Sequence, residues 1–334
     1  MKKTYYLFNP GRLSRKDNTL RFTPFNENGV EGLPKFIPVE GISDIYCFGN
    51  LDVNSALLNF LGKCNISIHF FDYYEHYTGS FMPKDYLLAG KMQIEQTKHY
   101  LNKKKRIEIA QLIIDGAAFN MLKNLRYYNN RNRDIGFQIE QIEIYSRNIF
   151  KATETDELMG IEGNIRMAYY SAFENIISDF EMGNRTKQPP SNEVNTLISF
   201  GNMLCYTLCL GNIYHTQLNP TISFLHEPGY RRYSLALDIA EIFKPILTDR
   251  VIFRVLNKKE IKASDFDKKI NSCLLKDAGK KTFLKVYDEK LNETINHRIL
   301  KRHVSYKHLV KLECYKLSKH ILGIETYRPF KIWW

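Results

Sequence analysis

The 334-residue sequence has no paired CxxC cluster, no apolar segment behind its first charged residues, and no run approaching the roughly 18 apolar residues that span a bilayer. Its six cysteines, Cys47, Cys64, Cys205, Cys209, Cys273 and Cys314, are scattered. Only Cys205 and Cys209 come close, and a spacing of four puts both on one face of an apolar helix, not in a zinc cluster. They read as buried free thiols in a reducing compartment. The opening MKKTYYLFNPG carries two lysines without an apolar core. A cytoplasmic protein with no membrane partner is expected.

Acid is the other shortage. Forty-eight Lys and Arg face 36 Asp and Glu, a formal net charge of +12. Residues 1–85 hold nine of each sign, so the whole excess lies in the remaining 249. A neutral N-terminal part beside a basic C-terminal part predicts that one of them meets a polyanion; lysine-rich solvated helices are the plainer alternative. The 44% hydrophobic and 25% charged content is that of a globular protein, with length for about two domains.

The N-terminal part reads as β. Runs rich in β-branched and aromatic residues at 4–8, 19–25, 36–39 and 44–48, separated by Gly, Pro and Asn, predict strands joined as hairpins. One helix interrupts them, capped by Asn50 or Asp52 and stopped by Gly62, with Val53, Ala56, Leu57, Phe60 and Leu61 at helical spacing. Strand character returns at 66–71 and 77–81, and Pro83 opens a linker. From Tyr86 onward strand signals nearly vanish. The expected fold class is α+β: a small β-rich domain over 1–84, a linker over 85–90 and a larger all-α domain over 91–334. Without a charge excess or a catalytic pattern, the β domain suits dimerisation or scaffolding.

In the basic part, Ile107, Ala110, Ile113, Ile114, Ala117 and Met121 mark a long helix, introduced by KKKR at 103–106. Arg126, Tyr127, Tyr128, Arg131 and Arg133 close it, either as a solvated helix end or as a phosphate-contacting surface. A second helix follows from Leu158, Ile161, Ile165, Ala168, Ala172 and Ile176, and Glu162 lies on its Leu158, Ile165 and Tyr169 side. A carboxylate there needs a partner or a ligand. After the Pro-rich break at 184–192, a helix from Glu193 to about Tyr214 is apolar nearly all round and belongs in the core. The tail TYRPFKIWW either docks on the body or orders with a partner.

The chemistry concentrates in NPTISFLHEPGYRRYSLALDIAEIFKP, residues 219–245. Leu235, Ile239, Ile242 and Ile246 form a buried stripe, with Asp238 about 60° to one side and Glu241 three residues on, so both carboxylates can face one cleft. The turn sequence Glu227-Pro228-Gly229 holds His226 at a loop edge ahead of that helix. HEPGY is not the HExxH of zinc proteases. Carboxylates plus one imidazole suit Mg2+ or Mn2+ better than structural zinc, and such a cation on a phosphate oxygen assists attack at phosphorus. Arg231 and Arg232 would add bidentate phosphate contacts, with Arg166 and Lys244 as further nucleic-acid contacts. The acids could instead pair internally with Lys244 or Arg166.

The order of EGNxR…YY, PPSNEVNTLISFG and LNPTISFLHEPGYRRYSLALDIAEIFKP over residues 158–249 resembles the CRISPR-associated integrase of spacer acquisition, the universal "Cas one" subunit, in its type I-like spelling. That resemblance implies a DNA endonuclease and integrase that inserts short fragments into a CRISPR array by 3′-hydroxyl attack, acting on double-stranded and branched DNA. It further implies a homodimer, joined through the β domain, that assembles with a small companion Cas protein. Carried onto this sequence, Glu162, His226 and Glu241 would be the metal ligands and Asp238 a supporting acid, all four catalytic. Asn219 stands where many members have aspartate. Two other readings compete: a noncatalytic nucleic-acid-binding scaffold, and a metal-dependent nucleotide phosphohydrolase.

Overall fold

The computed structural model describes residues 3–26, 28–84, 89–187, 189–229, 233–269 and 272–333. The chain divides into two compact units, Met1–Tyr86 and Leu87–Trp334. Residues 85–88, most of the expected linker, lie outside the described residues.

The first unit comprises β1 (Lys3–Leu7), β2 (Gly11–Lys16), β3 (Thr19–Pro24), β4 (Lys35–Pro38), β5 (Ile42–Cys47), β6 (Leu51–Asp52), α1 (Ser55–Cys64), β7 (Ser67–Phe71) and β8 (Tyr77–Phe81). They form two four-stranded sheets, ordered β1-β5-β7-β8 and β4-β3-β2-β6. Buried Leu7, Leu13, Leu20, Ile45, Leu57, Leu61 and Ile68 belong to one shared core. The expected hairpins hold for β2–β3, β3–β4 and β7–β8, but β1, β5 and β7 run parallel. Parallel pairing needs a crossover, and α1 supplies it between β5 and β7. The helix starts later than expected because Leu51–Asp52 pair with β2. The cap is Asn54, whose side chain accepts from the Leu57 N–H at 2.9 Å, and the stop is Asn65, left-handed at φ 56°.

The second unit is mostly helical: α2 (Gly90–Leu101), α3 (Lys103–Asn129), α4 (Gly136–Ser146), α5 (Thr155–Ser171), α6 (Phe173–Ile176), α7 (Glu193–Tyr214), α8 (Ser234–Lys244), a π-helical turn at Pro245–Asp249, α9 (Arg250–Asn257), α10 (Asp277–Asn292) and α11 (Tyr306–Ile321). It is not all-α. Strands β9 (Phe266–Lys269) and β10 (Ser272–Leu275) form one antiparallel pair, and β11 (Thr294–His297) and β12 (Arg302–Ser305) another. Each strand is only four residues long, too short for a strand period to stand out, and β9 is mostly charged and exposed, while β10 alternates buried Cys273 and Leu275 with half-buried neighbours.

Helix α7 is long and apolar enough to cross a membrane by composition, yet 72% of its apolar window is buried inside this unit, as expected of a core helix. It packs on α8, which also meets α3. Gly201 lets α7 approach the π-helical turn after α8: a Cβ there would sit 2.4 Å from the Thr248 methyl, while the Thr248 hydroxyl donates to the Gly201 carbonyl at 3.0 Å. All six cysteines are free, and all but Cys64 are buried.

The C-terminal tail docks on the body. Tyr327, Phe330 and Ile332 are buried, the Tyr327 hydroxyl and the Phe330 N–H both donate to Glu313, and Phe330 stacks on Phe243 of α8. Asn120 of α3 ties the tail to α8 by donating to the carbonyls of Ile242 and Phe330 and accepting from the Ile332 N–H.

Candidate active site

The loop holding His226 is a built structure. Buried Gln96 of α2 donates to the carbonyls of Asn219 and Ile222 at 3.0 and 2.7 Å and accepts from the Asn219 N–H at 2.9 Å. The Ser234 hydroxyl donates to the Thr221 carbonyl, and Ser223 donates to that of His226. From α3, Arg106 donates to the Phe224 carbonyl at 3.0 Å and to Glu227 at 2.6 Å, and its guanidinium lies over Tyr100. Asn219 turns its side-chain oxygen to the N–H and hydroxyl of Thr221, an Asx turn. Gln96 carried no signal in the sequence, and Arg106 read only as part of a basic cluster.

Asp238 completes the loop. Its Oδ2 accepts from the N–H groups of Phe224 and Leu225 at 2.7 and 3.0 Å. Its Oδ1 accepts from the His226 N–H at 3.0 Å and meets His226 Nδ1 at 2.8 Å. A carboxylate with no exposed surface thus accepts up to four hydrogen bonds, fixes the imidazole by one ring nitrogen, and leaves Nε2 as the nitrogen able to meet a ligand.

Glu241 does something different, although it shares α8 with Asp238. It pairs with Arg166 of α5 and, at 2.7 Å, with Lys244. Arg166 also pairs with Glu162, one turn before it, so its guanidinium bridges the two glutamates. Asp238 and Glu241, expected to face one cleft, take different partners: one acid serves the histidine loop and the other the Arg166 cluster. Arg166 and Lys244, expected to contact DNA, are both largely buried. Their side chains are only 16% and 13% exposed and are spent on carboxylates. Arg231 and Arg232 lie outside the described residues.

Burial, with Arg166 adding repulsion, lowers the Lys244 ammonium to about 8. Behind the cluster, Asp249 in the π-helical turn has its carboxyl raised to about 7 by burial, against the pull of the Tyr169 hydroxyl and Arg166. A raised folded-state value means that the folded chain holds a proton the unfolded chain has released above its ordinary value near 3.8. The stability this contributes is complete at acid pH and is lost as pH rises toward 7. Asp249→Asn should therefore gain on the wild type in melting temperature between pH 4.5 and 7.5; a difference constant over that range would refute the raised value.

Among the described residues, no three His, Cys, Asp or Glu stand together as a group able to hold a metal ion. Two glutamates converging on one guanidinium nevertheless mark a place where positive charge is required. A histidine whose Nδ1 is held by a carboxylate is arranged as metal-binding histidines are. The donor chemistry of Glu162, Glu241 and His226 fits a hard divalent cation.

A family model described as CRISPR associated protein Cas1 matches residues 5–289. The chain belongs to the Cas1 family. It is 47% identical, over 99% of its length and all of the relative's, to a CRISPR-associated endonuclease Cas1 of Thermodesulfovibrio yellowstonii. Its structure matches a Cas1 protein from Thermotoga maritima at 40% identity with a TM-score of 0.85, covering 97% of this chain and 99% of that one. A casposase bound to integration product shares the fold at 20% identity and a TM-score of 0.88, covering 99% and 93%. Two Cas1 relatives so similar over full length support the resemblance read from the motif order at 158–249.

Proposed function

We propose that this Cas1 chain is a divalent-metal-dependent DNA endonuclease and integrase that inserts short DNA fragments into a CRISPR array in the cytoplasm. The observation that carries the site is the pairing of His226 with Asp238 beside a helix whose next turn presents Glu241 to the α5 cluster of Glu162 and Arg166. Glu162, Glu241 and His226 would hold Mg2+ or Mn2+. Such an ion supplies charge neutralisation at the phosphorus under attack and orients the attacking 3′-hydroxyl or water. Asp238 keeps the imidazole oriented, Gln96 and Arg106 hold its loop, and Lys244 balances Glu241. Arg166 bridges the two glutamates and balances their charge.

Branched and double-stranded DNA are the proposed substrates, and a homodimer with a small companion Cas protein is the proposed assembly. The family membership supports these partners, and the net charge of +12 suits a polyanion. The test is Mn2+-dependent cleavage and strand transfer on branched DNA. His226→Ala and Glu162→Gln should each lower the rate at least about 100-fold, since each removes a direct ligand and with it much of the ion's charge stabilisation. Wild-type rates in either variant would overturn the assignment.

A further inference from the structure

The cluster at the end of α3 remains unexplained by that site. Tyr127, Tyr128, Arg131 and Arg133 line a cavity of about 510 Å³ with residues of α9 and α10. Among the described residues, six cations border it, Arg131, Arg133, Arg250, Arg254, Lys258 and Lys290, against a single lining carboxylate, Glu293. Part of this charge is balanced locally. Arg254 pairs with Glu260 and Glu289, and Lys290 with Glu293. Even so, concave walls of one sign focus their field on the space between them.

The arginines are also organised by their faces. The guanidinium of Arg131 lies 4.3 Å from the centre of the Tyr127 ring and that of Arg250 5.2 Å from it. Tyr127 meets Tyr128 edge-on, and Tyr128 meets Phe253 in the same way. Stacking occupies the flat faces of a guanidinium and leaves its in-plane N–H fork for an acceptor, the geometry that matches phosphate oxygens. The volume exceeds what a lone phosphate fills and lies within the range of small-ligand sites.

We propose that this cavity, which none of Glu162, His226 and Glu241 lines, is a nucleoside-phosphate site that holds one nucleotide unit of a single-stranded DNA segment. The proposal rests on the DNA chemistry assigned above. The same ligand chemistry could come from a free nucleotide, and the experiment separates the two sources. The arginine fork takes the phosphate, while Tyr127 and Tyr128, backed by the buried Phe253, line the apolar side where the base would lie.

The test uses the full chain and a fluorescein-labelled oligo(dT), with binding read by anisotropy. Arg131→Gln combined with Lys258→Gln should weaken binding about tenfold and flatten the salt dependence by about one to two phosphate contacts. A control with the same loss of charge, Lys104→Gln with Lys151→Gln at exposed positions outside the cavity, should stay within about twofold of wild type if charge alone is not the cause. Metal-dependent cleavage at saturating DNA should persist in the cavity variant, so loss of affinity there is separable from failure of the catalytic assignment. Equal affinities for the cavity and control variants overturn the proposal, and so does dTMP competing as well as the oligonucleotide, which would assign the cavity to free nucleotides. In the wild-type protein, oligo(dT) should protect Lys258 from amine acylation while leaving Lys104 reactive; an unprotected Lys258 overturns the site regardless of how the variants fold.

Discussion

Asp238→Asn is expected to slow Mn2+-dependent cleavage of branched DNA about 10- to 100-fold, the range seen when the partner of a metal-binding histidine is removed. The carboxylate accepts from donors on both oxygens: the Phe224 and Leu225 N–H groups on one, and the His226 N–H and Nδ1 on the other. An asparagine must turn its NH2 toward one of these pairs, and either choice faces buried donors with a donor. The loss is then about 1–3 kcal/mol for each group left unsatisfied. If the NH2 displaces the imidazole contact, His226 also loses the charge that orients it. Asp238→Ala removes all the acceptors at once and should melt lower than Asp238→Asn. Initial rates at saturating Mn2+, read beside the melting temperature, decide the matter. A rate within about threefold of wild type in Asp238→Asn would show that the loop holds His226 without this acid.

Arg166→Met is expected to destabilise the metal-free protein by about 3–5 kcal/mol, because removing one partner of a buried ionic cluster leaves the other charges uncompensated. Glu162 and Glu241 would lose their shared cation, with Lys244 left beside Glu241 among the described residues. The compensating prediction concerns the ion. If Arg166 stands where positive charge is needed, Mn2+ should raise the melting temperature of Arg166→Met more than that of the wild type, since the metal restores what the guanidinium supplied. Thermal melts with chelator and with Mn2+, together with calorimetric titration, measure both halves. A variant that melts with the wild type in chelator would mean that the cluster is solvated enough to need no cation.

These outcomes depend on residues of unequal visibility. The long helix over Ile107 to Met121, the Glu162 helix, the all-round apolar α7 and the loop-then-helix order around His226 could be read because helical periodicity and turn residues are local signals. The strand runs at 4–8, 19–25 and 44–48 were local in the same way. Their partners were not: β1, β5 and β7 pair in parallel across long stretches of chain, and nothing within a strand states which neighbour it will take. The hairpins β9–β10 and β11–β12 went unseen because each strand is only four residues long, and pairing, not pattern, defines them.

The sequence by itself determined a neutral β-rich part, a basic helical part, and a motif order over residues 158–249, containing Glu162, His226, Asp238 and Glu241, that resembles the Cas1 family. Tertiary structure alone decided what each acid does. Asp238 and Glu241 lie three residues apart on α8, and helical geometry makes them neighbours on its surface. Only the packing of α5 and of the 219–229 loop against that helix sends one to His226 and the other to Arg166. Likewise Arg166 and Lys244 are cations in any reading, but only the packing shows that both are buried beside carboxylates as their counter-ions. Charge and type are properties of a residue; the partner that uses them is set by contacts that span more than a hundred positions, as the hold of Gln96 on Asn219 does.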